Sequence, residues 1–258
     1  AILSAFVALG IASTRGAIGA YENAWRVSML VLLVASSIAM SLFPQVSRWD
    51  AEDATDRIES IISKALLPGL LIAFPAFAGT LVLAEDIMET LFGPEFTIGS
   101  FVLVILVAEK ILQSIHVVLS RSLQAIDRPD LAAYATVVTI IINLVLNVVL
   151  IWEHGIVGAA VATAVSFVVN TALHAYYVNQ FLKIRFPTNK TIWSIFAATT
   201  MGVTVYVVDL WISINGIVDL LAVISFGAAV YFIVLLVHGS IRTQAVKFLR
   251  PRLTKDIR

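Results

Sequence analysis

Seven mainly apolar runs, near 24–46, 64–84, 98–120, 131–152, 156–180, 191–211 and 216–237, follow one another with only short breaks of charge, Pro or Gly. Runs of roughly 20 such residues match the ~30 Å hydrocarbon core of a bilayer, so each reads as a spanning helix. Composition agrees. The chain is 60% hydrophobic and 13% charged, whereas a soluble domain is about half apolar and about a quarter charged. Its 258 residues carry too little polar surface for a water-soluble fold. The fold class that follows is an all-α, polytopic membrane protein. A further apolar segment, 1–13, covers only about 20 Å as a helix, too short to cross, and reads as the end of a helix that begins earlier. No cationic stretch precedes it, so it does not resemble a signal peptide.

Orientation follows from Lys and Arg, which accumulate in cytoplasmic loops. With the tail after residue 238 in the cytoplasm, all seventeen Lys and Arg fall on that side except Arg15, Arg26 and the mid-span Lys110. The opposite loop, 85–95, carries Glu85, Asp86, Glu89 and Glu95. Outside the spans, 48–66 reads as an interfacial helix with charges alternating around Ile58, Ile61 and Ile62. The tail 239–258 reads as a basic, cytoplasmic end that either stays solvated or lies on anionic lipid.

A formal net charge of zero argues against nucleic-acid binding as the main task. The absence of cysteine excludes disulfides and thiol chemistry. The histidines, His116, His154, His174 and His238, lie on different segments without metal-ligand spacing, and no Gly-rich phosphate loop occurs. The chain therefore reads as a non-enzyme needing no cofactor or metal.

Polar residues inside the spans are the functional signal. Glu109, Gln113, His116 and Ser120 recur at helical spacing in one span. Thr136, Thr139, Asn143 and Asn147 do so in the next, and Thr163, Ser166, Asn170 and His174 in the one after. Steps of three and four place each set on one side of its helix. Such stripes serve either interhelical hydrogen bonding or a wet cavity. Glu109 and Lys110 sit mid-span, where a charge costs at least about 2.5–3.5 kcal/mol; as sequence neighbours they point in different directions and need not pair. Glu22 and Arg26, four apart near the outer end of their span, suit a local ion pair. Pro68, Gly69 and Pro75 predict a bent helix. Gly155 and Ala159, and Gly158, Ala162 and Ser166, permit close helix approach. Between Asn143 and Asn170, the tetrad Trp152-Glu153-His154-Gly155 predicts a tight outer turn between two spans.

Four stretches occur in order: GAYENAWRVS (19–28), LFPQVSR (42–48), LFGPEF (91–96) and LQAIDRPDLAAY with NLVLNVVLIWEHGIVGAAVATAVS (within 123–166). Together they resemble the polysaccharide-flippase branch of the multidrug/oligosaccharidyl-lipid/polysaccharide (MOP) exporter superfamily. The resemblance covers about residues 15–180, and the remainder by span count. It implies a MATE-like lobe: residues 1–182 as the second six-helix lobe with its first helix truncated, 183–238 as two additional helices, and 239–258 as the tail. A first lobe, on the same or a separate chain, is then an implied partner, together with membrane lipids. The implied function is to flip a lipid-linked oligosaccharide across the plasma membrane by alternating access. In the related peptidoglycan-precursor flippases an arginine in a similar pattern lines the cavity, and Tyr21, Ala24 and Arg26 follow that pattern with altered spacing. The resemblance thus implies cations, Arg26 and Lys110, for a lipid diphosphate, and amides for the glycan. The candidate cavity set is Arg26, Glu22, Glu109, Lys110, Gln113, Asn143, Asn147, Asn170 and His174. Two alternatives stay open: a cation-coupled multidrug exporter of the same superfamily, and a non-transporting half that needs a separate first lobe.

Overall fold

The computed structural model describes residues 14–212, 214, 216–239 and 241–243; the opening 1–13 and most of the basic tail lie outside the described residues. Among the described residues every regular element is helical. Helix α1 (Thr14–Met29) passes through one 3-10 turn, Leu30–Leu32, into α2 (Leu33–Ala51). Helix α3 (Thr55–Phe92) and a 3-10 turn (Pro94–Gly99) lead to α4 (Ser100–Ala125), then α5 (Pro129–Phe181), α6 (Thr188–Asp209) and α7 (Ile217–Val237). Six helical stretches are long and apolar enough to cross a membrane, α1 and α2 together forming the first. The chain is a multi-pass membrane protein.

Helix α5 reconciles six stretches with seven spans. Its 53 residues would measure about 80 Å if straight, more than twice a bilayer core. Gly155 breaks it at φ 58°, ψ −133°, a backbone conformation that a side chain disfavours. Gly158 lies against the Leu150 carbonyl with no room for a Cβ, so the second arm returns along the first. The turn expected at Trp152–Gly155 is therefore a reversal made by two glycines.

The interfacial helix expected over 48–66 does not form as one unit. Helix α2 ends at Ala51, Asp53 turns the chain at φ 54°, and residues from Thr55 onward run directly into the α3 span. The physical reason is burial: Ile58 and Ile62 pack in the core, 2% and 0% exposed, and do not lie on lipid. With Leu66, Val118, Leu123 and Val178 they form one core cluster. A second cluster gathers around Ala24, Met88, Leu103, Leu106 and Ala160. Between them Gly69 allows α2, α3 and α4 to meet closely: a Cβ there would stand 2.9 Å from the Cβ of Ala35 and 3.2 Å from that of Ser114.

Helices α6 and α7 dock on α3 through a third cluster that includes Leu83, Met201, Val205 and Tyr231. The buried Tyr231 hydroxyl donates to the Leu71 carbonyl at 2.9 Å and meets Ser194 Oγ at 2.8 Å. Trp193 Nε1 donates to the Val234 carbonyl at 3.2 Å. The last two helices are thus fastened to α3 by apolar packing and a few directional bonds.

Candidate functional site

The reversal at Gly155 brings Asn143 and Asn147, before the turn, beside Ala159 and Thr163, after it. Across from them α1 presents Tyr21, Glu22, Trp25 and Arg26, one helical face at spacings of one and four. These residues enclose an open cavity of about 540 Å³. Arg26 and Glu22 are exposed and lie 3.9 Å apart, a loose pair. At such a surface position the pair stabilises by at most about 1 kcal/mol, which leaves the guanidinium available to another anion.

The two amides are partly engaged with each other. Asn147 Nδ2 donates to both the backbone carbonyl and Oδ1 of Asn143, each at 2.8 Å. Asn143 Nδ2 and Asn147 Oδ1 remain without a protein partner among the described residues, so the pair offers one donor group and one acceptor. Other stripe hydroxyls turn inward to their own helix: Thr136, Thr139, Thr163 and Ser166 each donate to the carbonyl four residues back. That satisfies them within the helix.

Most of the remaining stripe residues lie in a buried seam that α4 forms with α1, at Trp25, and with the second arm of α5, at Phe167 and His174. Lys110 Nζ turns back on Glu109, 2.6 Å from Oε2, with both side chains fully buried. The neighbours therefore do pair, because the flexible lysine stem curls back over its own helix. Gln113 Oε1 accepts from Lys110 Nζ at 2.7 Å, and the Trp25 ring covers the ammonium at 4.4 Å. Trp25 thereby stands between Lys110 and the cavity. Farther along, His174 Nδ1 contacts the Asn170 carbonyl at 2.9 Å, and its ring meets His116 edge to face at 4.4 Å between centroids. Glu109, Asn170 and His174 are 1%, 5% and 0% exposed. Among the described residues, Glu109 Oε1, Asn170 Oδ1, His174 Nε2 and His116 Nδ1 have no protein partner. The arrangement thus divides the candidate set: Arg26, Glu22, Asn143 and Asn147 line the cavity, whereas Glu109, Lys110, Gln113, Asn170 and His174 make the seam.

Trp25 belongs to no polar stripe, so polar periodicity does not single it out. Its position four residues after Tyr21, on the face of Arg26, is the signal the sequence holds for it. The approach of His116 to His174 has none, since 58 positions separate them and only the packing of α4 on α5 joins them.

A cationic and amide-lined cavity in an all-helical membrane protein meets a match to a known family: the family model described as lipid II flippase MurJ aligns with residues 1–232. The chain belongs to the MurJ lipid II flippase family. It is 45% identical over 239 residues to a probable low-salt glycan biosynthesis flippase, Agl15, of Haloferax volcanii, covering 93% of this chain and 51% of that protein. A probable flippase of the same organism, AglR, is 26% identical over 251 residues, covering 96% of this chain and 52% of its own length. The chain spans about half the length of these curated relatives. A solved lipid II flippase MurJ in an inward closed conformation shares the fold, with a TM-score of 0.73 at 20% identity over 86% of this chain and 47% of that one.

Proposed function

We propose that this chain is the second lobe of a flippase that moves a lipid-linked oligosaccharide from the cytoplasmic to the outer leaflet. The observation that carries the reading is the cavity in which Arg26 faces Asn143 and Asn147. A guanidinium can hold phosphate oxygens in bidentate fashion, and a donor–acceptor amide pair suits sugar hydroxyls. Arg26 meets the diphosphate, and the amides meet the glycan nearest to it. The named glycan biosynthesis flippase and the lipid II flippase family support this over drug export. On this reading residues 1–182 form the C-terminal lobe of a MOP-type transporter, 183–238 its additional pair of helices, and the C-terminus is cytoplasmic. A first lobe supplies the opposite wall, because alternating access requires two.

The test is transport by the full-length protein in proteoliposomes loaded with a fluorescent lipid-linked oligosaccharide. Arg26→Ala is expected to slow flipping at least tenfold, since losing one member of a charge-assisted contact costs about 2–5 kcal/mol. Arg26→Lys, which keeps charge but loses the fork, is expected to fall between. An unchanged rate for Arg26→Ala would remove this residue from the mechanism.

A further inference from the structure

The Arg26 cavity has a second kind of wall, which the charges and amides do not account for. Tyr21 and Trp25 sit one turn apart on α1, their rings nearly parallel at 21° with centroids 6.4 Å apart. Both line the cavity, together with Asn143, Asn147 and Thr163. Both are also partly buried, packed against the cluster around Ala24, Leu103 and Leu106. Trp152 and Trp211, by contrast, are 76% and 85% exposed, as suits interfacial anchors at the edge of a bilayer. Tyr21 and Trp25 are built into the protein and are not such anchors.

The indole is held from the seam as well. Lys110 Nζ stands 4.4 Å from the Trp25 ring centroid, and that ammonium is itself fixed by Glu109 and Gln113. An aromatic side chain has only two torsions, and one packed and clamped in this way loses little freedom when a ligand settles on it. A rigid aromatic wall beside a cation and two amides suits a ligand that has a charged group, an apolar face and hydroxyls close together. A pyranose bonded to a diphosphate has this make-up. Its equatorial hydroxyls point outward around the rim, and its axial C–H bonds gather on the ring faces, where they complement the negative face of an aromatic ring. Because Arg26 and Trp25 line one cavity, a phosphate on the guanidinium brings the sugar bonded to it beside the rings. The exposed charges of Glu22 and Arg26 make the same wall unsuitable for a hydrocarbon chain.

We propose that Tyr21 and Trp25 determine the specificity of this cavity, as an aromatic shelf that stacks on the pyranose ring bonded directly to the lipid diphosphate. Arg26 then holds the phosphate, and Asn143 and Asn147 meet the hydroxyls. The shelf rests on the flippase reading above and extends it: the rings distinguish a glycosylated lipid diphosphate from a bare one.

The experiment measures the affinity of the full-length protein in detergent for two fluorescent probes by thermophoresis. One is an isoprenyl diphosphate carrying a single N-acetylhexosamine, and the other is the same isoprenyl diphosphate without sugar. A well-stacked aromatic contact is worth roughly a factor of five to ten. Trp25→Leu is therefore expected to lose about tenfold toward the glycosylated probe and to stay within about twofold toward the bare one. Trp25→Phe, which keeps a ring, should retain most of the preference. Tyr21→Leu leaves the indole over Lys110 in place and is expected to lose about threefold in the same selective way, so it decides the matter if Trp25→Leu fails to fold. Equal losses toward both probes would make the rings structural and overturn the proposal, as would an unchanged preference in the leucine variants. Arg26→Ala should weaken both probes alike. If it weakens neither, the diphosphate reading falls, whereas a selective loss in the leucine variants would still uphold the shelf.

Discussion

The cavity at Arg26 and the seam at Glu109 draw on the same kinds of side chain, each with a carboxylate, a cation and amides. In the cavity the cation and carboxylate stand 3.9 Å apart with most of their surface exposed. In the seam they are 2.6 Å apart and fully buried. Desolvating each ion of a buried pair costs several kcal/mol, recovered only by close contact and added bonds. Lys110 has those additions in Gln113 and the Trp25 ring, and a desolvated cation–π contact contributes about 2 kcal/mol. The seam's charges are therefore committed to one another within α4 and to the Trp25 ring of α1, and the cavity's are available. Membrane depth and residue type do not decide which polar group in a span is functional; the state of its partners does.

That contrast breaks most sharply at Lys110. Lys110→Met removes the counter-ion and leaves Glu109 buried alone, with an expected destabilisation of about 3–5 kcal/mol. Glu109→Gln/Lys110→Met replaces the ion pair by groups that need no charge balance and should recover most of that loss. Thermal unfolding of the full-length protein in detergent, followed by intrinsic fluorescence, reads both. A Lys110→Met variant as stable as the parent would mean that the seam is not structural.

The extent to which this division is legible in the sequence follows from the same physics. The spans are readable because lipid demands long uninterrupted apolar helices, and the turn at Gly155 because Glu153 and His154 interrupt one. Stripe periodicity puts Asn143 and Glu109 on polar faces, but periodicity is blind to what a face meets. Asn143 faces the gap toward α1, whereas Glu109 is buried against Lys110, a difference that depends on how the helices pack. The 48–66 segment misleads for a related reason: Ile58 and Ile62 are spaced equally well for lying on lipid or for entering the core. The choice depends on whether Leu123 and Val178 stand opposite, which local pattern does not contain.

Arg26 tests the other half of the comparison. Because its side chain is exposed and loosely paired, Arg26→Ala should leave stability within the range of ordinary surface changes, about ±0.5 kcal/mol, while transport falls steeply. A variant that loses stability and transport together would place Arg26 with Lys110 as a structural cation. The two regions would then no longer differ.

The smallest expected effect is at the amides, which stand between the two cases. Asn147 gives two 2.8 Å bonds to Asn143 while half-buried at the cavity wall. Asn147→Ala therefore loses helix-internal bonds as well as a cavity acceptor. Side-chain bonds within membrane bundles average about 0.6 kcal/mol, so the Asn143→Ala and Asn147→Ala cycle should give a coupling near that value in unfolding. If the pair also meets the glycan, each single variant should slow flipping several-fold, and the double should slow it further, since each amide presents a different atom to the cavity. A cycle in which the stability coupling is present but flipping rates are unchanged would assign the amides wholly to the helix. Recognition in this cavity would then rest on Arg26.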